Sequence, residues 1–137
     1  MKGPRWERQG VLARSSRPGY PSLQVPLAEV DLWIEEVHQM GIRSIICLLH
    51  DKQLSYYDEL SGGLIEHYRR SEFEVAHVPI VDPAHDPAGL QQIEDSLDEV
   101  FAHFGRLPGP LLVHCSAGVD RTGRVVADIV QRLDSGR

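Results

Sequence analysis

The sequence predicts an α/β fold, a three-layer sandwich whose central, largely parallel sheet is flanked by helices. Three observations carry this expectation. The apolar runs RSIICLL (43–49), EVAHVPI (74–80) and LLVHC (111–115) are continuous rather than alternating, as strands buried on both faces require. Between and after them lie segments with apolar residues at helical spacing. The two kinds of element alternate along the chain, the order that crossover helices impose on parallel strands.

Each element has a local reason. VLARSSRPGYPS (Val11–Ser22) reads as a short strand running into a loop, because Pro18, Gly19 and Pro21 stop regular structure. AEVDLWIEEVHQMG places Val30, Trp33, Ile34, Val37 and Met40 on one helical face, with Gly41 as the stop. After the strand 43–49, HDKQ ends the apolar run, and Tyr56 to Arg70 is mostly helical in character, interrupted at Gly62 and Gly63. The strand 74–80 leads into the loop VDPAHDP. Asp86-Pro87 has the form of a helix start, and Leu90, Ile93, Leu97, Val100, Phe101 and Phe104 supply the apolar face beyond it. GRLPGP turns the chain into the strand 111–115, SAGVD makes a tight loop, and RTGRVVADIVQRL forms the last helix.

Composition sets bounds. The 137 residues fit a single domain, 1–137, large enough to bury a core without disulfides or metals. A formal charge of −6 without a Lys/Arg block argues against general nucleic-acid binding. No run approaches the roughly 18 apolar residues of a membrane span. The two cysteines, Cys47 and Cys115, have no framework spacing and no leader-like apolar run precedes them, so a reduced, cytoplasmic protein is expected. The oligomeric state stays open.

The chemistry concentrates in HCSAGVDRTG (114–123). Cys115 falls where a buried strand ends and a helix begins, facing free backbone N–H groups and the positive end of the helix dipole. Such surroundings lower a thiol pKa from about 8.5 to between about 3.5 and 7.5. The amides of Ser116, Ala117, Gly118, Val119, Asp120 and Arg121 form a cradle for phosphate oxygens, with Gly118 and Gly123 allowing close approach. Arg121 adds a planar fork that grips two oxygens, and Thr122 can donate its hydroxyl to the sulfur. A buried structural cysteine is the common role of this residue type, but it does not explain arginine, threonine and two glycines in register with it.

Cys-x5-Arg-Thr after an apolar strand resembles the signature of the cysteine-dependent protein tyrosine and dual-specificity phosphatases. MGIRSIICLL, a helix, HVPIVD, a long helix and LLVHC extend the likeness to a compact dual-specificity layout from about Val11 to Leu133. The resemblance implies a phosphatase-like fold and a metal-independent phosphomonoesterase with no cofactor. It would act on phosphotyrosine, and on phosphoserine or phosphothreonine, in phosphorylated protein partners. Cys115 would be the nucleophile of a cysteinyl-phosphate mechanism, with Arg121 stabilising the phosphoryl oxygens. Asp82, three residues after Pro79, matches the family's general acid, with Asp86 the next candidate. His114 would support the loop through hydrogen bonds. Phosphoinositides, an RNA 5′-triphosphate and a non-catalytic phosphate-binding adaptor are the alternatives; the absence of lysine from the loop favours protein substrates.

His77, His85 and His114 show no zinc-site pattern, so no metal is expected. Cys47 reads as a core cysteine rather than a disulfide partner of Cys115. Arg14 and Arg17 could guide an anionic substrate from the SSRPGY loop, but exposed arginines usually do nothing so specific, so they stay outside the catalytic set. Asp120 is the anomaly, since a carboxylate aimed into the cradle would repel phosphate and raise the Cys115 pKa. It should point outward, as a surface ion-pair partner, a rim residue or a back-up acid; myotubularin-like lipid phosphatases resemble this chain in carrying aspartate there.

Overall fold

A computed structural model describes residues 3–136. Its elements are β1 (Arg5–Arg8), β2 (Leu12–Ser15), α1 (Leu27–Gln39), β3 (Ser44–Cys47), α2 (Asp51–Leu54), a 3-10 turn (Ser55–Tyr57), α3 (Gly63–Arg70), β4 (Glu74–His77), α4 (Ala88–Arg106), β5 (Leu111–His114) and α5 (Asp120–Asp134). The five strands form one sheet in the order β1-β2-β5-β3-β4. The three pairs β2·β5, β5·β3 and β3·β4 are parallel, and β1 is antiparallel to β2.

The side chains of each strand alternate between two cores. Leu12, Ile46, Ala76, Leu111 and Val113 join Ile93 and Leu97 of α4 and Val125 and Ile129 of α5. Their neighbours Ala13, Ile45, Cys47 and Leu112 join Val30, Trp33 and Val37 of α1 and Leu64 and Tyr68 of α3. This period-two division makes the three layers, and it explains why the apolar runs around β3 and β5 are continuous rather than alternating.

Several expectations change. The polar start contains β1, which was missed because a half-exposed edge strand, RWER, carries no buried apolar run. HDKQ ends β3 but also enters α2, where the His50 side chain accepts from Lys52 N. The apolar runs are longer than the ladders. Leu48 and Leu49 lie beyond β3 yet are fully buried, and Leu48 still bonds to both sides, its N–H donating to His114 O and its carbonyl accepting from Ile80 N. Leu90 is 63 % exposed, so it does not belong to the core face of α4. Asp86 does cap that helix: its Oδ1 accepts from Ala88 N at 2.9 Å, and Pro87 already has helical dihedrals.

All four parallel strands run with their carboxyl ends on one side of the sheet, where the loops after β2, β3, β4 and β5 meet. The β5–α5 loop can sit there only because residue 118 is glycine. Its φ is +77°, and a Cβ would lie 2.6 Å from the Ser15 carbonyl oxygen at the end of β2.

The core should report this layering. Leu112→Ala, in the middle of β5, is expected to cost about 2–5 kcal/mol in urea unfolding, whereas Leu32→Ala on the outer face of α1 should change stability by less than about 0.5 kcal/mol.

Candidate active site

The carboxyl ends of the strands frame a cavity of about 270 Å³, just below the usual range for ligand sites. Cys115, Ser116, Ala117 and Arg121 line it from the β5–α5 loop, Asp82 from the loop after β4, Gln53 from α2 and Arg17 from the loop after β2. Tyr20, Pro21, Leu23 and Tyr56 supply apolar and aromatic surface, and Asp120, Ala84 and His85 complete the lining.

Arg121 is held from several sides although it is only 1 % exposed. Its Nη1 donates to Ile80 O at 2.8 Å, to Gln53 Oε1 at 2.9 Å and to Leu48 O at 3.4 Å. Its Nη2 donates to Asp82 Oδ2 at 3.2 Å. Two of these acceptors are main-chain carbonyls just beyond β3 and β4, so the sheet itself aims the guanidinium.

Asp82 is equally constrained. Oδ1 accepts from Ala84 N at 3.0 Å, a local turn, while Oδ2 meets Arg121 and, at 3.4 Å, the Gln53 amide. Its side chain is 15 % exposed and lines the cavity with Cys115. Asp86 does not line the cavity and serves as a cap. The loop carrying Asp82 packs on the start of α4, where a Cβ at Gly89 would strike Val81 O at 2.2 Å.

His114 lies in β5, fully buried. Its Nε2 is 2.9 Å from Tyr68 Oη and its Nδ1 is 3.0 Å from Cys115 O. A neutral ring satisfies both contacts, with Nδ1–H donating to the carbonyl and Nε2 accepting from the phenol. Burial pushes its pKa down to about 4, with Arg121 and Arg17 adding to the depression and the Cys115 carbonyl opposing it. It supports the loop from beneath.

Thr122 departs from expectation. Its hydroxyl is buried and has no hydrogen-bond partner, so the bond to the Cys115 sulfur is not made in this conformation. The first turn of α5 carries Thr122 inward, which encloses the side chain without bringing its oxygen within bonding range of an acceptor.

Within the cradle, Ser116 and Gly118 are buried, Ala117 is half-buried and Val119 and Asp120 are exposed. Asp120 points outward at the rim, and no cation pairs with it among the described residues, which removes the surface ion-pair role.

Sequence reasoning left Arg17 outside the catalytic set and missed Gln53. Arg17 is 2 % exposed rather than a solvated loop residue, and it donates from Nε to Ser116 Oγ at 3.0 Å. Its burial could not be read from a Pro/Gly-rich loop whose tyrosine neighbours come partly from residues 56 and 57. Gln53 gave no signal beyond a polar residue in a short segment. Arg14 donates to Gly118 O at 2.8 Å and so props the loop from outside. Cys47 lies in the core on the other side of the sheet from Cys115, and burial pushes its pKa up to about 12. Among the described residues no cluster of three or more metal-ligating side chains occurs, and no helix is long and apolar enough to cross a membrane.

A family model described as "Polymorphic toxin system, DSP-PTPase phosphatase" matches residues 28–134. No curated protein matches the chain. Among solved structures, the chain is similar to kinase associated phosphatase with its catalytic cysteine substituted by serine. The TM-score is 0.60 at 20 % identity, covering 89 % of this chain and 65 % of that one, so the chain spans less than two thirds of that relative. It is also similar to a putative phosphatase (DUF442) from Shewanella putrefaciens CN-32, with a TM-score of 0.50 at 15 % identity, covering 99 % and 74 %. At these identities the likeness concerns the fold.

The buried, neutral His114 has a consequence for stability. Its folded pKa, about 4, lies below the ordinary 6.5, so the unfolded chain binds the proton more readily. The contribution is full above pH 6.5 and is lost as pH falls toward 4, on the order of 3 kcal/mol in total. Urea unfolding from pH 7 to 4 should show this loss in wild type and lack that share of it in His114→Gln.

Proposed function

The chain belongs to the DSP-PTPase phosphatases of polymorphic toxin systems, and from that premise we propose that it hydrolyses phosphate monoesters through a cysteinyl-phosphate. The observation that carries the reading is that Cys115, Arg121 and Asp82 line one cavity although they arrive from loops after two different strands. The Cys115 thiolate attacks phosphorus in line, forming an S–P bond as the P–O bond to the leaving group breaks. Backbone amides of 116–121 and the Arg121 fork stabilise the equatorial oxygens, and Asp82 gives its proton to the departing oxygen. Water then attacks the phosphorus while Asp82 takes its proton, releasing inorganic phosphate and the thiolate. Thr122, whose hydroxyl is committed to nothing else, donates to the sulfur as it leaves.

The resting pair between Asp82 and Arg121 gives the first event on binding. A phosphate dianion competes for the same Nη2, so the substrate displaces the carboxylate and frees it to face the leaving group. Tyr20, Pro21, Leu23 and Tyr56 suit an aryl group, which favours phosphotyrosine, with phosphoserine and phosphothreonine in proteins as smaller fits. A working thiol must stay reduced, which favours a cytoplasmic site of action.

Hydrolysis of a small aryl phosphate by wild type, with none by Cys115→Ser, is the expected result; a wild type inactive from acidic to neutral pH points instead to a phosphate-binding adaptor. Two pH–rate profiles assign the acid. Asp82→Ala should lower kcat on a phosphotyrosine peptide by about 10²-fold and remove the fall in rate at high pH. Asp120→Ala should keep that fall, and the reverse pattern assigns the acid to Asp120.

A further inference from the structure

Three arginines surround the cradle, and two have a carboxylate. Arg14 is paired with Glu7 at 3.2 Å and Arg121 with Asp82 at 3.2 Å. Arg17 is as deeply buried as Arg121, yet no carboxylate pairs with it among the described residues. Its Nε donates to Ser116 Oγ at 3.0 Å and its Nη1 to Tyr57 Oη at 3.3 Å. The guanidinium carbon lies 4.7 Å from the centre of the Tyr56 ring, 5.5 Å from that of Tyr20 and 6.0 Å from that of Tyr57.

Enclosing a guanidinium without a counter-charge is unfavourable, and aromatic faces offset only part of that cost. A core position would not need the charge at all. Arg17 instead lines the same cavity as Cys115 and Arg121. Its contact with Ser116, the residue after the nucleophile, puts it beside the phosphate cradle rather than within it. The planar fork suits a tetrahedral oxyanion in two-point contact.

We propose that Arg17 is a second anion site of the catalytic cavity, which selects phosphomonoesters carrying a second phosphoryl group next to the scissile one. The assignment rests on the phosphomonoesterase reading for the position of the scissile phosphate and goes beyond it in what is selected. A substrate with one phosphate uses the Arg121 part of the cavity alone. A substrate with two supplies the charge that Arg17 lacks.

Calorimetric titration of the full chain with inorganic phosphate and with methylenediphosphonate, which is not hydrolysed, tests this without turnover. Wild type should bind the diphosphonate about tenfold or more tighter than phosphate, and Arg17→Gln should abolish that preference while changing phosphate affinity by less than about threefold. Equal affinities in wild type overturn the proposal. So does an equal loss for both ligands in Arg17→Gln, which would make Arg17 a support for Ser116. If Arg17→Gln does not fold, Arg17→Lys keeps the charge without the fork; a drop in preference of about threefold or more supports the site, and an unchanged preference overturns it. A chain that shows the preference but cleaves no aryl phosphate retires the enzymatic reading and keeps the anion site. A chain that cleaves aryl phosphate without the preference does the reverse.

Discussion

The site depends on one act of burial, the enclosure of the Arg121 guanidinium at the carboxyl ends of a parallel sheet. An arginine in that position must recover its hydration from fixed acceptors, and four separate segments contribute one each. The main chain beyond β3 offers Leu48 O, the chain beyond β4 offers Ile80 O, α2 offers Gln53 and the following loop offers Asp82. Each acceptor depends on strand register. In the parallel ladder Cys47 stands opposite both His114 and His77, so all three strands end at the same level and the chain beyond them converges on one point. A shift of one residue would exchange the two faces of a strand and move these carbonyls away from the arginine.

The same convergence forces the backbones close together. Gly118 lies against Ser15 and Ser16, and Gly89 lies against Val81 and Pro83. The first contact seats the β5–α5 loop on the end of β2; the second seats the loop of Asp82 on the start of α4. The two glycines thus let the loops that carry Cys115 and Asp82 seat directly on neighbouring backbone. Beneath them His114 stays neutral and ties the Cys115 carbonyl to Tyr68 of α3, so the loop is braced from the opposite layer as well.

What could be read from the sequence follows from how locally each feature is encoded. The parallel strands and the long helices announce themselves through apolar periodicity, and the 115–121 loop through the spacing of its own residues. Asp82 is matched through the family resemblance, by its place three residues after Pro79, and it lines the same cavity as Cys115 while Asp86 caps α4. Arg17 and Gln53 were not legible. Their surroundings are assembled from segments far apart in sequence, so an arginine that is buried by residues 20, 56, 57 and 116 looks the same in sequence as one in solvent. β1 escaped for the opposite reason, since an edge strand half in water has no apolar signature to detect. Leu90 misled because helical spacing locates a face but not where along the helix its partner layer begins.

Asp120 and Arg121, adjacent in sequence, have opposite surroundings, and helix geometry accounts for both. α5 begins at Asp120, and consecutive side chains on a helix point about 100° apart, so turning Arg121 into the protein turns Asp120 out of it. An acid in the first turn interacts favourably with the free amides and the helix dipole, which stabilises the segment that carries the arginine. Its carboxylate sits at the rim of the cavity rather than among the cradle amides. A negative charge in that place weakens the field felt by a bulky polyanion at the entrance more than the field felt by a phosphate seated against Arg121, because the entrance is nearer and better hydrated paths lie between rim and floor. On the proposed reading, the rim acid and the buried Arg17, which has no carboxylate partner among the described residues, act at different depths of one cavity, the first against charge spread over a large ligand and the second for charge concentrated beside the scissile group.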